Sequence, residues 1–383
     1  MPAAPLFEAG SGYGAPRLAA RSGLRIAVLC EFAPRKLGSW EGWLMAVASE
    51  AKRRGHHLDV FGREPIHPQV RRAFEDAGAK WRLLSELEDR PVRALRRLAG
   101  DYDVLHLNYM APRQLAALLA FAAAPAAVLF VDHSSINDVT TVSGRSRLAR
   151  LADRLTLSRI KYHVGVSNYV GAVAKQRYGL PTSRFRVIHN GVDVTRYHPP
   201  NTAAEWPEFR ILAVANLIPE KGVQHLIRAL AALPVPQARL LVAGDGPQEG
   251  SLRELADELG VGQRTTFLGL RDDLPDLLRS IDVFVHAAVW QEAFGLTVAE
   301  AMASGCPVIA SRIGAMDELV DDSCGVLVAP GDVPELTATL HRLAQDAPLR
   351  HRLGEHARQR AVELFGLDRC INRHLDLCEE VAR

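Results

Sequence analysis

The chain has 383 residues, which is enough for two domains of ordinary size and too long for one ordinary core. Its 46 basic and 44 acidic residues leave a net charge of +2, so no overall field favours nucleic acid or an anionic membrane. The five cysteines are scattered and never form a C-x-x-C pair, which argues against a disulfide framework and a zinc site. These properties predict a cytoplasmic protein without a nucleic-acid partner.

Two segments of the chain are candidates for a targeting signal or a membrane span. Residues 1–23 are rich in Pro, Gly and Ala and lack the compact apolar region of a signal peptide, so we expect a flexible tail. The longest apolar run, 115–131, is mostly Ala and is interrupted by Pro125. It therefore predicts a helix followed by a strand, with no integral membrane segment.

From Leu24 onward, short β-rich runs alternate with longer helical patterns. The candidate strands of the first half are LRIAVLC, HLDVF, DVLHLNY, AVLFVDH, YHVGVS and RFRVIHNG. Helical patterns such as EGWLMAVASEAKRRG and RSRLARLADRLTLSRIK lie between them. Continuous apolar strands joined by helices predict a parallel sheet that is covered on both faces.

A Pro-rich stretch, DVTRYHPPNTAAEWPE, then resembles an interdomain linker. The alternation resumes with RILAVAN, ARLLVAGD, TTFLGL, DVFVHAA, CPVIAS and CGVLVAP, which predicts a second doubly wound domain. We place the domains at 24–195 and 196–365, with a final helix at 366–383 that returns to the first domain. In such sheets ligands bind beyond the carboxyl ends of the strands, so two facing domains would form a cleft.

The stretch ANLIPEKGVQHL places Asn216 and Lys221 in a loop that follows a predicted strand and precedes a helix. A lysine beside a helix N-terminus is well placed to bind phosphate, because free N–H groups and the helix dipole favour an anion there. The simpler alternative is a solvated loop lysine.

The stretch EAFGLTVAEAM leads from a Gly turn into another helix, and it carries Glu292 and Glu300 on either side of the turn. Both carboxylates would lie at the cleft edge, where a carboxylate is a strong acceptor for vicinal sugar hydroxyls. A capping box between Thr297 and Glu300 would explain Glu300 alone. A hydrolase pair and a metal site are the other uses of two nearby carboxylates.

The stretch LLVAGDGPQEGSL contains Gly244-x-Gly246, but Glu249 stands where a dinucleotide fingerprint has its third glycine. No acidic residue follows the next strand to bind a ribose. A nicotinamide-dependent Rossmann enzyme is therefore disfavoured.

Six motifs occur in order in the chain: NGVD, KGVQHLIRAL, VAGDGP, FLGL, EAFGLTVAEAMASGCPVIAS and GVLVAPGD. In this combination the sequence resembles the retaining glycosyltransferases of family four. The resemblance covers nearly all of the chain after Leu24 and is strongest over 210–332. It implies an α/β protein of the GT-B fold, with two doubly wound Rossmann-like domains that face each other across a cleft.

The resemblance also implies roles for single residues of the second domain. Glu300 would accept the ribose hydroxyls of a sugar nucleotide, Glu292 would hold hydroxyls of the donor sugar, and Lys221 would neutralise the diphosphate. Family members usually carry an arginine where this chain has Asn216, so neutralisation would depend more heavily on Lys221. The remaining expected donor contacts are main-chain groups. Those of Leu270 and Arg271 would bind the base. The diphosphate would be bound by those of Phe294, Gly295, Leu296 and Thr297.

In the first domain the motif matches are weaker. Gly38 and Ser39 stand where the family has a Gly-Gly turn against the donor phosphates, and the Cβ of Ser39 either hinders that approach or its hydroxyl binds phosphate. His133 follows a strand end, where the resemblance implies a histidine near the donor sugar and the acceptor; the alternative is a structural histidine. The arginine-rich helix 145–161 is either a solvated face or a contact for an anionic acceptor or membrane.

The sequence thus predicts a transferase that moves a sugar from a nucleotide-diphosphate donor to an acceptor hydroxyl with retention of configuration. The resemblance implies a UDP-linked donor, because the family most often uses UDP. No cofactor or metal is expected besides this co-substrate, because the sequence contains no D-x-D strand end. The expected acceptor is a small molecule or specialised metabolite. Transfer to a polysaccharide or glycolipid, and sugar-nucleotide epimerisation on the same fold, are the alternatives, and a homodimer is left open.

Overall fold

The computed structural model describes residues 23–31, 33, 38–64, 66–88, 100–109, 126–133, 160–178, 181–200 and 207–383. Residues 1–22 of the tail predicted at 1–23, and residues 145–159 of the arginine-rich helix predicted at 145–161, lie outside these ranges. Within them, no helix is both long enough and apolar enough to cross a membrane. The described chain forms two parallel β-sheets, each with helices packed on it.

The first sheet has seven parallel strands in the order β3-β2-β1-β4-β5-β6-β7. Its strands are β1 (Arg25–Cys30), β2 (His57–Gly62), β3 (Ala79–Leu83), β4 (Val104–Asn108), β5 (Ala127–Asp132), β6 (Ile160–Gly165) and β7 (Phe185–Val187). The helices described beside it are α1 (Ser39–Arg53), α2 (Pro68–Asp76), α3 (Ser85–Glu88) and α4 (Asn168–Tyr178). The central strands are buried almost throughout, as expected for a sheet covered on both faces.

The second sheet has six parallel strands in the order β10-β9-β8-β11-β12-β13. Its strands are β8 (Phe209–Val214), β9 (Ala238–Ala243), β10 (Thr265–Gly269), β11 (Val283–His286), β12 (Val308–Ser311) and β13 (Gly325–Val328). The helices of this half are α5 (Val223–Ala232), α6 (Glu249–Glu258), α7 (Leu274–Arg279), α8 (Leu296–Ala303), α9 (Met316–Leu319), α10 (Val333–Gln345), α11 (Ala347–Phe365) and α12 (Leu367–Ala382). The predicted pair of doubly wound parallel sheets is confirmed.

Two details differ from the sequence prediction. Strand β3 was not predicted, because its apolar residues alternate with Lys80 and Arg82 at the edge of the sheet, where Ala79 and Trp81 are buried. The predicted helix 145–161 is wrong at its end, because β6 already begins at Ile160, which is buried and pairs with Val128. In both cases, pairing with a neighbouring strand decides a structure that the local pattern left ambiguous.

The chain crosses between the domains twice, and the two crossings are hydrogen-bonded to each other. The Val192 N–H donates to the Phe365 carbonyl over 2.8 Å, and the Leu367 N–H donates to the Val192 carbonyl over 2.9 Å. After this point α12 packs on α1 of the first domain. The two domains are therefore joined by two segments of the chain that are hydrogen-bonded to each other.

A second interdomain contact involves Glu318 of α9. Its carboxylate accepts hydrogen bonds from the backbone N–H groups of Asn168 and Tyr169, at 2.8 and 2.7 Å, at the start of α4. It also contacts His189 Nε2 at 3.0 Å. Burial would raise the pKa of Glu318, but these hydrogen bonds, led by that of His189, lower it. The carboxylate therefore holds the N-terminus of a helix of the other domain.

Arg54, which follows α1, fixes α12 in place. Its guanidinium contacts Glu50 at 3.0 Å and, on α12, Asp376 at 2.6 Å, Glu379 at 3.0 Å and Asn372 at 2.6 Å. The side chain is only 18% exposed, so these partners replace most of its water contacts. The neighbouring Arg53 is 73% exposed, and its ion pair among the described residues is with Glu50.

Replacing Arg54 by Met should therefore lower the free energy of unfolding by about 1–3 kcal/mol, because charged hydrogen bonds to α12 are lost and their partners are left unpaired. Arg53→Met is the matched control and should change it by no more than about 0.5 kcal/mol. Calorimetry of both variants measures the effect. Equal losses in the two variants would contradict the assignment of Arg54 as the residue that anchors α12.

Candidate active site

A cleft of about 730 Å³ lies between the two domains. It is located at the carboxyl ends of β8 and β11, the neighbouring strands at which the order of the second sheet reverses. Every residue predicted for the site lines this cleft: Gly38, Ser39, His133, Asn216, Lys221, Leu270, Arg271, Glu292, Phe294, Gly295, Leu296, Thr297 and Glu300.

The loops after β8 and β11 pack closely against each other, and this packing brings Lys221 to Glu292. Gly222, between Lys221 and α5, has a φ of +70°, and a Cβ there would lie 1.8 Å from the Ala287 carbonyl oxygen. The Val289 N–H donates to the Glu220 carbonyl over 2.9 Å in the same contact. A side chain at Gly222 would therefore separate the two loops.

Lys221 and Glu292 form a direct ion pair. Lys221 Nζ donates to Glu292 Oε2 over 2.7 Å, and His286 Nε2 lies 3.4 Å from the same oxygen. Burial would raise the pKa of Glu292, but the hydrogen bond from His286 and the charge of Lys221 lower it to about 2. Glu292 is therefore an ionised carboxylate at any physiological pH.

The ion pair leaves hydrogen-bonding capacity on both partners. An ammonium group has three N–H donors, of which Glu292 uses one. The contacts of Glu292 with Lys221 and His286 both fall on Oε2, which leaves Oε1 for another donor. Lys221 can thus bind an anion, and Glu292 can accept a hydrogen bond from a hydroxyl, while their ion pair stays intact.

Helix α8 begins at the cleft with a left-handed residue. Its N-cap, Gly295, has a φ of +94° and no side-chain cap, and a Cβ there would lie 2.5 Å from Met316 Cε. The first N–H groups of a helix have no intrahelical partner, so those of α8 are available to an anion. The capping-box alternative for Thr297 and Glu300 is wrong, because no side chain caps this helix.

Glu300 instead bonds across the cleft. It is 4% exposed, and its Oε1 accepts a hydrogen bond of 2.5 Å from the Ser39 hydroxyl at the start of α1. Burial raises the pKa of Glu300, and hydrogen bonds from Ser39 and Tyr197 only partly offset this. In this structure the Ser39 hydroxyl is therefore a partner of the carboxylate.

His133 lines the cleft on the first-domain side, but its nitrogens are occupied or buried. Nε2 lies 3.1 Å from Asn108 Oδ1, whereas Nδ1 is buried without a hydrogen-bond partner among the described residues. Because the amide oxygen can only accept, His133 carries its proton on Nε2. Burial lowers the pKa of His133 to about 3, so the ring is neutral.

The predicted base contacts also line the cleft. Leu270 is 66% exposed, and Arg271 Nε donates to Asp273 over 2.8 Å. Asn216 follows β8, and its side-chain oxygen lies close to Gly246. All three residues are exposed.

Among the lining residues that were not predicted are Tyr109, Tyr197 and His286. Tyr109 and His286 stand at the ends of β4 and β11, so the strand-end criterion that selected His133 applies equally to them. Tyr197 lies in the predicted linker, where no pattern marks it.

Two family models match the chain in tandem. The model "Glycosyltransferase Family 4" covers residues 42–196, and the model "Glycosyl transferases group 1" covers residues 198–360. The chain belongs to the glycosyl transferases of group 1.

Curated relatives of this group 1 chain carry out different reactions. It is 38% identical to the MMP alpha-(1->4)-mannosyltransferase of Mycolicibacterium hassiacum over 194 residues, which are 49% of this chain and 46% of that protein. It is 26% identical to the N-acetyl-alpha-D-glucosaminyl L-malate synthase of Bacillus anthracis over 298 residues, 74% of this chain and 76% of the relative. The chain thus spans about half of the first relative and three quarters of the second.

Among solved structures, the group 1 chain is similar to Anabaena HepE in complex with UDP and glucose. The TM-score is 0.76 at 22% identity, over 93% of this chain and 99% of HepE. At this identity the likeness concerns the fold, and it confirms the predicted GT-B architecture.

Proposed function

We propose that this protein transfers a hexose from a nucleoside-diphosphate sugar, UDP-linked, to the hydroxyl of a small acceptor with retention of anomeric configuration. The observation that carries the proposal is the convergence of Lys221, Glu292, Glu300 and the N-terminus of α8 on one cleft. A cation and free helix amides suit a diphosphate, and two carboxylates suit a pentose and a hexose. HepE, which shares the fold, was solved with UDP and glucose, and this supports the choice of UDP.

The donor would lie across the cleft with each of its parts on a different group. Main-chain groups at Leu270 and Arg271 would hold the base, and Glu300 would accept the ribose hydroxyls. For Glu300 to do so, the ribose must displace or share the 2.5 Å hydrogen bond from Ser39. Donor binding is thereby coupled to the contact between the two domains.

The diphosphate would lie between Lys221 and the α8 amides at residues 295–297. As the bond between the sugar C1 and the phosphate oxygen breaks, that oxygen gains negative charge, which a fixed cation and aligned N–H groups stabilise. The acceptor oxygen bonds to C1 on the same face, and its proton passes to the departing phosphate oxygen. Attack from the leaving-group side gives retention.

Glu292 would position the donor hexose through Oε1 while Lys221 and His286 hold Oε2. Because its pKa is low, about 2, Glu292 stays ionised. It can therefore accept hydrogen bonds but is a poor proton donor. A glycosidase would instead need one of its two carboxyls protonated as a general acid. Positioning of the sugar therefore fits Glu292 better than acid catalysis.

Thermal-shift screening against UDP-, GDP-, ADP- and TDP-sugars tests the proposal. A ligand at 100 times its Kd stabilises the folded state by about 2.7 kcal/mol, so the correct donor should give a clear rise in Tm. We expect the largest rise with a UDP-sugar. The absence of a rise with every nucleotide sugar would contradict the proposal.

Product analysis then distinguishes transfer from its rivals. With acceptor present, NMR should show a new glycoside with the anomeric configuration of the donor. Conversion of the donor sugar into its epimer without any acceptor would indicate an epimerase. Hydrolysis of a simple glycoside in the absence of nucleotide would indicate a glycosidase.

A further inference from the structure

Tyr109, directly after β4, has an unusual backbone at an exposed position in the cleft. Its φ is +48°, and it is the one non-glycine residue with a positive φ in the described part of the chain. Its side chain lines the cleft and is 42% exposed. A left-handed aromatic residue is strained, and such strain persists where the surrounding structure enforces it, often at functional sites.

The Tyr109 ring is fixed by two aromatic neighbours. It stacks on the His133 ring with centroids 4.0 Å apart and planes 8° from parallel. The Trp40 ring meets it edge-on, with centroids 5.5 Å apart. One face of Tyr109 is thus covered by His133, and the ring is held in a single plane.

A chain of buried side chains supports His133 from behind. Asn108 accepts the His133 Nε2–H and donates through Nδ2 to His106 Nδ1 over 2.6 Å. His106 Nε2 then donates to Nδ1 of His374, on α12, over 3.1 Å. Each donor points away from the cleft and toward α12, so the support is rigid and His133 has no N–H left for a substrate.

The wall of the cleft at this point is therefore an aromatic face and not a polar imidazole. The C–H groups of a sugar or cyclitol ring carry partial positive charge and form a flat apolar face, which suits the negative face of an aromatic ring. An open-chain hydroxy acid has no such face. Lys221, Glu292 and Glu300 all belong to the second domain, which leaves Tyr109 of the first domain for the other substrate.

We propose that Tyr109 is the stacking platform of the acceptor subsite and that the acceptor is a six-membered ring, either a glycoside or a cyclitol. This inference rests on the proposed function and narrows its acceptor. The relatives do not select a ring, since the name of the Bacillus anthracis relative contains L-malate, an open-chain acid. The geometry selects the ring over the chain.

Saturation-transfer NMR of the protein with bound UDP tests the proposal. Methyl α-glucoside, methyl α-mannoside and D-inositol 3-phosphate serve as ring probes, and L-malate and glycerol 3-phosphate serve as chain probes. At least one ring probe should bind with its C–H protons saturated. Tyr109→Leu should weaken that binding about tenfold, or about 1.4 kcal/mol, and Tyr109→Phe should keep it within about twofold.

Tyr109→Gly separates binding from folding, because glycine adopts a positive φ without strain. It should retain the Tm of the wild type and still lose the ring probe. Ring binding that is unchanged in Tyr109→Leu and Tyr109→Gly, or Tyr109-dependent binding of chain probes alone, would overturn the inference. So would the absence of binding by every ring probe.

Calorimetry with UDP distinguishes a failure of the proposed function from a failure of the role of Tyr109. All Tyr109 variants should bind UDP as the wild type does, because Lys221, Glu300 and the α8 amides, the main groups proposed for UDP, lie on the other domain. Wild-type protein that binds no nucleotide would refute the proposed function. Normal UDP affinity with acceptor binding independent of Tyr109 would refute the platform alone, and weakened UDP affinity in Tyr109→Leu would place the ring on the donor instead.

Discussion

Lys221→Ala is expected to lower turnover by about 100- to 1,000-fold, the range found when one preorganised donor to a developing oxyanion is removed. Lys221 is the cation that pairs with Glu292, and it lines the same cleft as the N-terminus of α8. Asn216, which lines the same cleft, is neutral and cannot share the neutralisation of the diphosphate. Steady-state kinetics with the donor found by screening measures the effect.

Two variants control this experiment. Lys175→Ala removes an exposed lysine of α4 and should leave turnover unchanged. Lys221→Arg keeps the charge but changes the geometry, so it should recover part of the loss. Turnover of Lys221→Ala within a factor of about two of the wild type would reject the role of Lys221, since even one ordinary hydrogen bond exceeds that.

Glu300→Gln should weaken UDP binding by about 10- to 100-fold, because a hydrogen bond to a charged acceptor contributes about 1.5–3 kcal/mol. The variant is isosteric and still offers an oxygen to Ser39, so the fold should be preserved. Calorimetry with UDP gives the affinity. The same titration with 2′,3′-dideoxyuridine diphosphate should show little difference between the variant and the wild type.

The pH dependence provides a second readout for Glu300. Burial raises the pKa of this carboxyl, and the ionised form is the better hydroxyl acceptor. Acidification through that pKa should therefore weaken UDP binding to the wild type, and Glu300→Gln should lack this part of the dependence. An equal loss of affinity for UDP and for its dideoxy analogue would place the ribose elsewhere.

The sequence was sufficient to predict the parallel sheets and the convergence of the site. Continuous apolar strands report burial on both faces, and residues that follow such strands must meet at one edge of the sheet. This reasoning located Lys221, Glu292 and Glu300 without knowledge of their contacts. It failed for β3, whose alternating edge pattern is weak evidence on its own.

What the sequence could not provide were contacts between residues far apart in the chain. The Ser39–Glu300 hydrogen bond joins residues 261 positions apart, and the Lys221–Glu292 pair joins residues 71 positions apart. The series of hydrogen bonds from His133 to His374 also joins distant residues. It turns the N–H of His133 away from the cleft, which the sequence did not indicate. A local pattern shows that a side chain is near the cleft, whereas its partner depends on how two domains meet.

The most direct test of the account is a crystal structure of the protein soaked with UDP. We predict the diphosphate within hydrogen-bonding distance of Lys221 Nζ and of the backbone N–H groups at 295–297, with the ribose hydroxyls on Glu300. A nucleotide bound outside this cleft, or one bound within it whose ribose leaves the Ser39–Glu300 hydrogen bond untouched and makes no contact with Glu300, would contradict it.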